Sequence, residues 1–417
     1  MVIAGIVIVV ATFIAIIKQF ETRLVLLLSG LLMCFIGGQL SAGTTAFVKE
    51  LTNPGLVPTI CTVLGFSYVM EYTKCTEHMV YFISAGLKKM TKIIIPGAVI
   101  ITFLINIALP TAAGCAAAVG ALLIPALIRS GVHPAMAGSA IFLGTWGSAL
   151  SPGLMFNPQV AQLAGEDVMT VIASFSMQAI IGIVVAAILL NIVAIVKKEH
   201  TGYVLKDANE EEGKEFKVNY LYAIIPIIPL VLLVLGSKQV AVIPEISVPV
   251  SMLIGTAIGI IAVRPNVTEA VKKFFRGTGD GMCDVVGLMA VAAAFTAGMQ
   301  YIGLTNALID GMKNSQQIAQ IGAAFGPFLL AVISGSGNAA ALAFNGAVTP
   351  HAADFGYGIM QLGSMAQLGA GIGRSMSPVA GAGIIIAGLA GINPMEMAKR
   401  NAVPCIIATV VIMLLLL

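Results

Sequence analysis

Apolar stretches near the ~20 residues that an α-helix needs to cross about 30 Å of hydrocarbon recur from Val2 to Leu417. No soluble core has room for so much apolar side chain. Of 417 residues, 58% are hydrophobic and 10% charged, and the mean hydropathy is +1.00, which places the chain among all-α polytopic membrane proteins. The segment after Met1 reads as one span among many and not as a cleaved signal. A net charge of +3 offers no field for nucleic acid.

Ten spans can be drawn, at 3–17, 24–38, 57–73, 134–155 and 168–196, then 219–236, 246–263, 280–303, 358–391 and 401–417. Two further stretches, 93–128 and 317–349, are apolar on both arms but interrupted, by PTAAG at 110–114 and SGSGN at 334–338. Both read as re-entrant hairpins. The charges support this division, because cytoplasmic loops are rich in Lys and Arg. With both termini outside, eighteen of the 22 basic residues fall on the cytoplasmic side, Lys49, Lys238 and Lys313 fall outside, and Arg374 falls within a span. Letting either hairpin cross fully scrambles the split. The polar run 197–217, KKEHTGYVLKDANEEEGKEFK, reads as a solvated cytoplasmic linker (197–218) between a first half, 1–196, and a second, 219–417.

The halves repeat each other. At an offset of 225 residues Ala116, Pro125, Gly131, Gly138, Ser139, Leu143 and Gly144 meet Ala341, Pro350, Gly356, Gly363, Ser364, Leu368 and Gly369; one inserted residue later, Ser151-Pro152 meets Ser377-Pro378. Five spans plus a hairpin make an odd number of crossings, so the second half is expected to be inverted, and inverted repeats with interrupted helices are a transporter pattern.

Backbone that leaves the helix in hydrocarbon exposes N–H and C=O groups at several kcal/mol each, and survives only when buried in protein or lining a watery cavity. Four such interruptions exist: PTAAG, GTWGSALSPG at 144–153, SGSGN, and GAGIGRSMSP at 369–378. In each Ser-Pro pair the serine suits an N-cap and the proline the first helical turn. This predicts half-helices from Pro152 and Pro378, and second hairpin arms from near Gly114 and Asn338. Four helix N-termini meeting at mid-membrane, each with about half a positive charge and free N–H groups, make an anion site. The predicted lining is Thr111, Ala112, Thr145, Ser148, Ser151, Ser336, Gly337, Asn338, Arg374, Ser375 and Ser377. Oxygens near Ser334, Asn338 and Ser377 are the place for a coupling Na+, with H+ as the alternative coupling ion.

Arg374 is the most pointed of these. A charge at bilayer depth costs at least ~2.5–3.5 kcal/mol and is functional by default, and a guanidinium can grip a carboxylate with two bonds; the other reading locks it to carbonyls or an acidic side chain. Glu71 and Asp284, near cytoplasmic span ends, offer either proton relays or snorkelling carboxylates paired with Lys74. His133 and His351 flank the hairpins as loop residues, Trp146 sits in a break as cavity wall or packing, and Asn157 is a further candidate. Six single cysteines, without CxxC or a His partner at metal spacing, read as small buried hydrophobes. There is no HExxH, no GxSxG elbow and no His deep in a span to run an intramembrane hydrolysis, and nothing asks for a cofactor. GAGIGR lacks the preceding strand of a dinucleotide fingerprint, which leaves close helix packing or a hinge. A passive anion channel also uses broken helices.

In SGSGNAAALAF, Pro350-His351-Ala352, LGAGIGRSMSPVAG and AGLAGINPMEMAKRNAVP the second half resembles the DcuC family of anaerobic C4-dicarboxylate carriers. The first half is similar more loosely, through FSYVMEYTKCTEHMV and the small-residue run after Thr111. Where the family has hydroxyls at the first hairpin tip, this chain has Leu109-Pro110-Thr111-Ala112-Ala113, with one. The resemblance implies exchange, efflux or ion-coupled transport of succinate, fumarate and malate across the bacterial inner membrane. It further implies a homodimer in lipid, and an elevator motion in which hairpins and broken helices slide as one body. A monocarboxylate or an acidic amino acid is the alternative cargo.

Overall fold

The computed structural model describes residues 1–417 apart from 19, 55, 85–92, 155, 205–216, 239 and 314–315. Every regular element among the described residues is helical. Five of the described helices are long and apolar enough to cross a membrane: Ala112–Arg129, Val168–Val196, Val267–Tyr301, Gln317–Ser334 and Pro394–Leu416.

Some helices lie where loops were expected. Leu40–Leu51, Cys75–Ser84 and Leu304–Lys313 are helical, and the span drawn at 280–303 is the end of a 35-residue helix. That helix runs from Val267–Asp280 through a π-turn, Gly281–Val286, into Gly287–Tyr301. Asn266 caps it by accepting from Glu269 N, and its first turns bury Ala270 and Gly277 while Lys272, Lys273 and Arg276 stay exposed. A search for wholly apolar windows passes over such an amphipathic start. The last helix likewise begins at Pro394 and not at 401, with Asn393 as its cap.

Both hairpin sequences fold as two helices around a short break. Ile94–Ala108 and Ala112–Arg129 flank 109–111, and Gln316–Ser334 and Gly337–Ala347 flank 335–336. The helices that follow are interrupted, but they resume later than predicted. Pro134–Gly144 leads through a 3-10 turn, Gly147–Leu150, to a helix starting at Phe156 instead of Pro152; Ile359–Arg374 leads to one starting at Gly381 instead of Pro378. Ser151 closes the 3-10 turn in an extended conformation, and Ser377 Oγ accepts from Val379 N within a local turn. The Ser-Pro pairs make turns before the helices and do not cap them.

The 225-residue offset persists in three dimensions. Helices begin at 112 and 337, at 134 and 359, and at 156 and 381. A Cβ added at Gly144 would collide with Val99 O, and one at Gly369 with Ala324 O; at Gly147 it would strike Phe103 O, and at Gly373 Phe328 O. Equivalent glycines thus let equivalent backbones touch. The GAGIGR run is close helix packing.

The helices sort into two groups by what they pack on. One holds the hairpins, the broken helices and the long Val168–Val196 and Pro394–Leu416, which lie along each other. The other holds Thr22–Ile36, Leu40–Leu51, Val57–Tyr72, Val248–Val263 and Val267–Tyr301, with an apolar cluster around Phe66, Met70, Ile225, Leu233 and Met252. Polar contacts join loops drawn on the same side of the membrane. Arg400 is held by Glu199 at 2.5 and 2.7 Å and by Glu396 at 2.8 Å, and Tyr203 N donates to Gly131 O. The start of the linker is therefore docked and not simply solvated, while 205–216, like Lys88, Lys89 and Lys92, lie outside the described residues. In the other set, Lys238 meets Asp167 at 2.9 Å and Asn53 donates to Gln162 at 2.9 Å.

Candidate functional site

The four breaks border one cavity of about 370 Å³. The first tip contributes Pro110 to Ala113, the first broken helix Trp146, Ser148, Ala149, Gly153, Leu154 and Phe156. From the second tip come Gly335 to Asn338, and from the second broken helix Gln367, Gly371, Arg374, Gly381 and Ala382. Ile60, Leu64 and Val285 close it from the other helix group. Among the described residues, then, one group supplies every polar side chain of the wall and the other only apolar ones.

Ala112, Phe156, Gly337 and Gly381, the first residues of four helices, all line this space. The opening N–H groups of a helix have no partner within it, and each terminus adds about +0.5 charge. The tips are held in place by their own halves. Asn106 Nδ2 donates to Leu109 O at 2.9 Å while its Oδ1 accepts from Ser148 N at 2.7 Å, tying the first tip to the first broken helix. At the second tip Gly335 has φ +73°, and a side chain there would press on Val379 O at 2.8 Å. Only glycine meets both demands.

Arg374 is the one charged residue on the wall among those described. It is half-buried, and its Nη2 donates to Thr145 O at 2.6 Å. No ion pair involves it among the described residues, so most of its five N–H donors remain for a ligand. Among the described residues one carbonyl bond is present and a protein carboxylate partner is not. A charge in such a place calls for a counter-charge, and the described residues of the wall supply none.

Of the predicted lining, Thr111, Ala112, Ser148, Ser336, Gly337, Asn338 and Arg374 stand on the wall. Thr145, Ser151, Ser375 and Ser377 do not, being buried behind it. Thr145 and Ser375 return their hydroxyls to Phe142 O and Gly371 O, and Ser151 borders a smaller space beside Pro152 and Pro226. Hydroxyls near helix ends readily satisfy local backbone in this way. Ser334 Oγ donates to Leu330 O at 2.6 Å, so of the three residues near which a cation was expected only Asn338 borders the cavity. No group of three His, Cys, Asp or Glu side chains able to hold a metal occurs among the described residues.

Gln367 escaped the sequence reading. Its signal was faint: a glutamine four and seven residues ahead of Gly371 and Arg374, hence on their helix face. Trp146 proves to be wall. Asn157 is fully buried and supports the wall from behind, donating to Ala149 O and Ser151 O at 2.8 Å each and accepting from Gln367 Nε2 at 2.9 Å. Lys74 lies 4.0 Å from Glu77 and does not pair with Glu71; a Cβ at Gly114 would instead stand 3.5 Å from Glu71 Oε1. Asp284 pairs with Arg23 at 3.2 Å on the surface. His133 caps the Pro134 helix by accepting from Ala135 N, and His351 sits 3.6 Å from Asp354.

The family model described as C4-dicarboxylate anaerobic carrier, DcuC, matches residues 2–417. The chain belongs to the DcuC family. This DcuC-family chain is 38% identical over 278 residues to a putative uncharacterized transporter of Haemophilus influenzae, a match covering 64% of this chain and 100% of that protein. It is 26% identical over 442 residues to the anaerobic C4-dicarboxylate transporter DcuC of Escherichia coli K12, covering 98% of this chain and 94% of that one. In fold it is similar to the YdaH transporter of Alcanivorax borkumensis, at a TM-score of 0.61 and 14% identity over 89% of this chain and 87% of that one. It is also similar in fold to MtrF of Neisseria gonorrhoeae, described with a class of antimetabolite efflux pumps, at 0.60 and 14% over 90% and 83%. Family and relatives are transporters and not enzymes, and the apolar helices make this a multi-pass membrane protein.

Proposed function

We propose that this chain carries C4-dicarboxylates of the succinate, fumarate and malate type across the bacterial inner membrane, by exchange, efflux or ion-coupled transport with H+ or Na+. The observation that carries the reading is the cavity on which four helix N-termini and the unpaired Arg374 converge. A ligand with two carboxylates can place one on the guanidinium fork and the other against the hairpin N–H groups. At about 370 Å³ the space is at the small end of ligand cavities, as a four-carbon cargo requires.

The division of the wall supports an elevator. Since Ile60, Leu64 and Val285 are apolar, the polar group can slide past this wall with its substrate without breaking a polar contact to it, and only outlying contacts such as Lys238–Asp167 and Asn53–Gln162 have to give. The recurring helix starts and glycine contacts support two repeated halves, and five spans plus a re-entrant hairpin in each, ten spans in all, make the second half inverted. The basic loops support a cytoplasmic linker with both termini outside, and the helix group that adds no polar side chain to the wall is the natural face for a homodimer.

Proteoliposomes loaded with unlabelled succinate or malate are expected to accumulate the labelled compound by saturable counterflow. Flux that rises linearly with concentration would make the protein a pore. Counterflow supported only by a monocarboxylate or an acidic amino acid would move the cargo to that class.

A further inference from the structure

Resting on the dicarboxylate reading, we infer that Gln367 and Trp146 select a dicarboxylate that bears a hydroxyl on its carbon chain. Asn157 fixes the orientation of the glutamine. Both of its Nδ2 hydrogens go to carbonyls, Ala149 O and Ser151 O, and carbonyls only accept. Its Oδ1 is therefore the atom turned toward Gln367. An amide oxygen also only accepts, so Gln367 must present Nε2 to it, as it does at 2.9 Å. These constraints remove the usual freedom to exchange N and O in a side-chain amide.

Gln367 Oε1 is left as an acceptor, buried and without a partner among the described residues, on a side chain that is 1% exposed and lines the cavity. Trp146 mirrors it: its Nε1–H is a donor, equally buried and equally unpartnered, on the same wall. Trp146 packs on the same helix at Gly371, where an added Cβ would lie 3.5 Å from Trp146 Cβ. Gly371 is one helical turn beyond Gln367 and three residues short of Arg374, so all three share a face.

Buried donors and acceptors in folded proteins are nearly all paired, and this pair is complementary. A hydroxyl both donates and accepts, an ammonium only donates, and a methylene does neither. A hydroxyl is therefore the one substituent of the three whose chemistry matches both groups. Side chains on a helix lean toward its N-terminus, so a carboxylate gripped by Arg374 brings its neighbouring carbon back along the face toward Gly371 and Gln367.

Calorimetric binding of succinate, malate and 2-methoxysuccinate to the purified protein tests this. All three carry two carboxylates on four carbons, and the methoxy compound keeps the oxygen while losing its hydrogen. Malate is expected to bind about tenfold more tightly than succinate, with 2-methoxysuccinate no better than succinate. In Gln367→Leu the malate-to-succinate ratio should fall to near one; a ratio taken within one variant does not depend on the fraction of the sample that is folded. Equal wild-type affinities for malate and succinate, a methoxy compound that matches malate, or an unchanged ratio in Gln367→Leu would each overturn the inference and leave the dicarboxylate reading standing. If none of the three binds, that reading falls and this one with it.

Discussion

The two halves of the molecule share a backbone plan and differ in what they mount on it. Helix starts at 112, 134 and 156 recur at 337, 359 and 381, and in each half the hairpin tip is seated on the broken helix that follows. The side chains diverge at the same positions. Arg374 has Ser148 as its counterpart at an offset of 226, Gln367 has the buried Phe142 at 225, and Asn157 has Ala382. The duplicated frame supplies N–H groups evenly from both sides, which suits a ligand with like charges at its two ends. The single guanidinium then makes those ends unequal, so recognition is carried by one half and shape by both.

The sharpest way to break this comparison is to remove the charge. Arg374→Ala is expected to lower uptake of a labelled dicarboxylate into proteoliposomes by at least roughly 100-fold, since each hydrogen bond to a charged group contributes about 1.5–3 kcal/mol and the fork makes two. Ser148→Ala, at the counterpart position, should cost no more than about tenfold. Equal losses would erase the asymmetry. Packing tests the shared part: Gly144→Ala and Gly369→Ala each push a methyl into a neighbouring backbone and should destabilise by about 1–3 kcal/mol, read as thermal unfolding in detergent. A loss confined to one half would mean that the frames are not equivalent.

The smallest effect concerns the caps of the long last helices. Asp167 accepts from Thr170 N at 2.9 Å, and Asn393 accepts from Met395 N at 2.9 Å, so only the first half has an ionisable cap. Burial pulls the Asp167 carboxyl upward, but the Thr170 hydroxyl and amide and the Lys238 ammonium outweigh it and hold the carboxyl at about 2, below the ordinary 3.8. A pKa lowered in the fold adds stability above the unfolded value of about 3.9, and that stability is lost as pH falls from there toward about 2. Asp167→Asn should therefore remove part of the acid-induced drop in unfolding temperature while changing neutral stability by about 0.5 kcal/mol. Melting curves of the two proteins across that pH range give the difference directly.

The breaks were legible because hydrocarbon punishes an interrupted helix wherever it lies, so PTAAG, SGSGN and the two Ser-Pro segments all had to reach a sheltered chamber, and Arg374 had to reach it with them. Their finer geometry was not legible. Serine followed by proline begins a turn as readily as a helix, which moved the restarts to Phe156 and Gly381. The hydroxyls of Thr145 and Ser375 could face ligand or carbonyl, and they took the carbonyl. Gln367 owes its orientation to Asn157, a residue 210 positions away, and no local pattern holds that information. The amphipathic start at Val267 was hidden because its buried stripe is narrow and its exposed face is basic.

The π-turn at Gly281–Val286 carries one more consequence. All six thiols are free; five are buried, and Cys283, whose carbonyl accepts from Arg23 Nη1 at 3.1 Å, is exposed. The native chain thus comes with one ready handle for a maleimide dye, on the group that borders the chamber only through apolar side chains. A second dye on Gly388→Cys, where a new side chain meets nothing within 4 Å, would mark the opposite group. Energy transfer between the two fluorophores would then report in real time whether one body travels along the other.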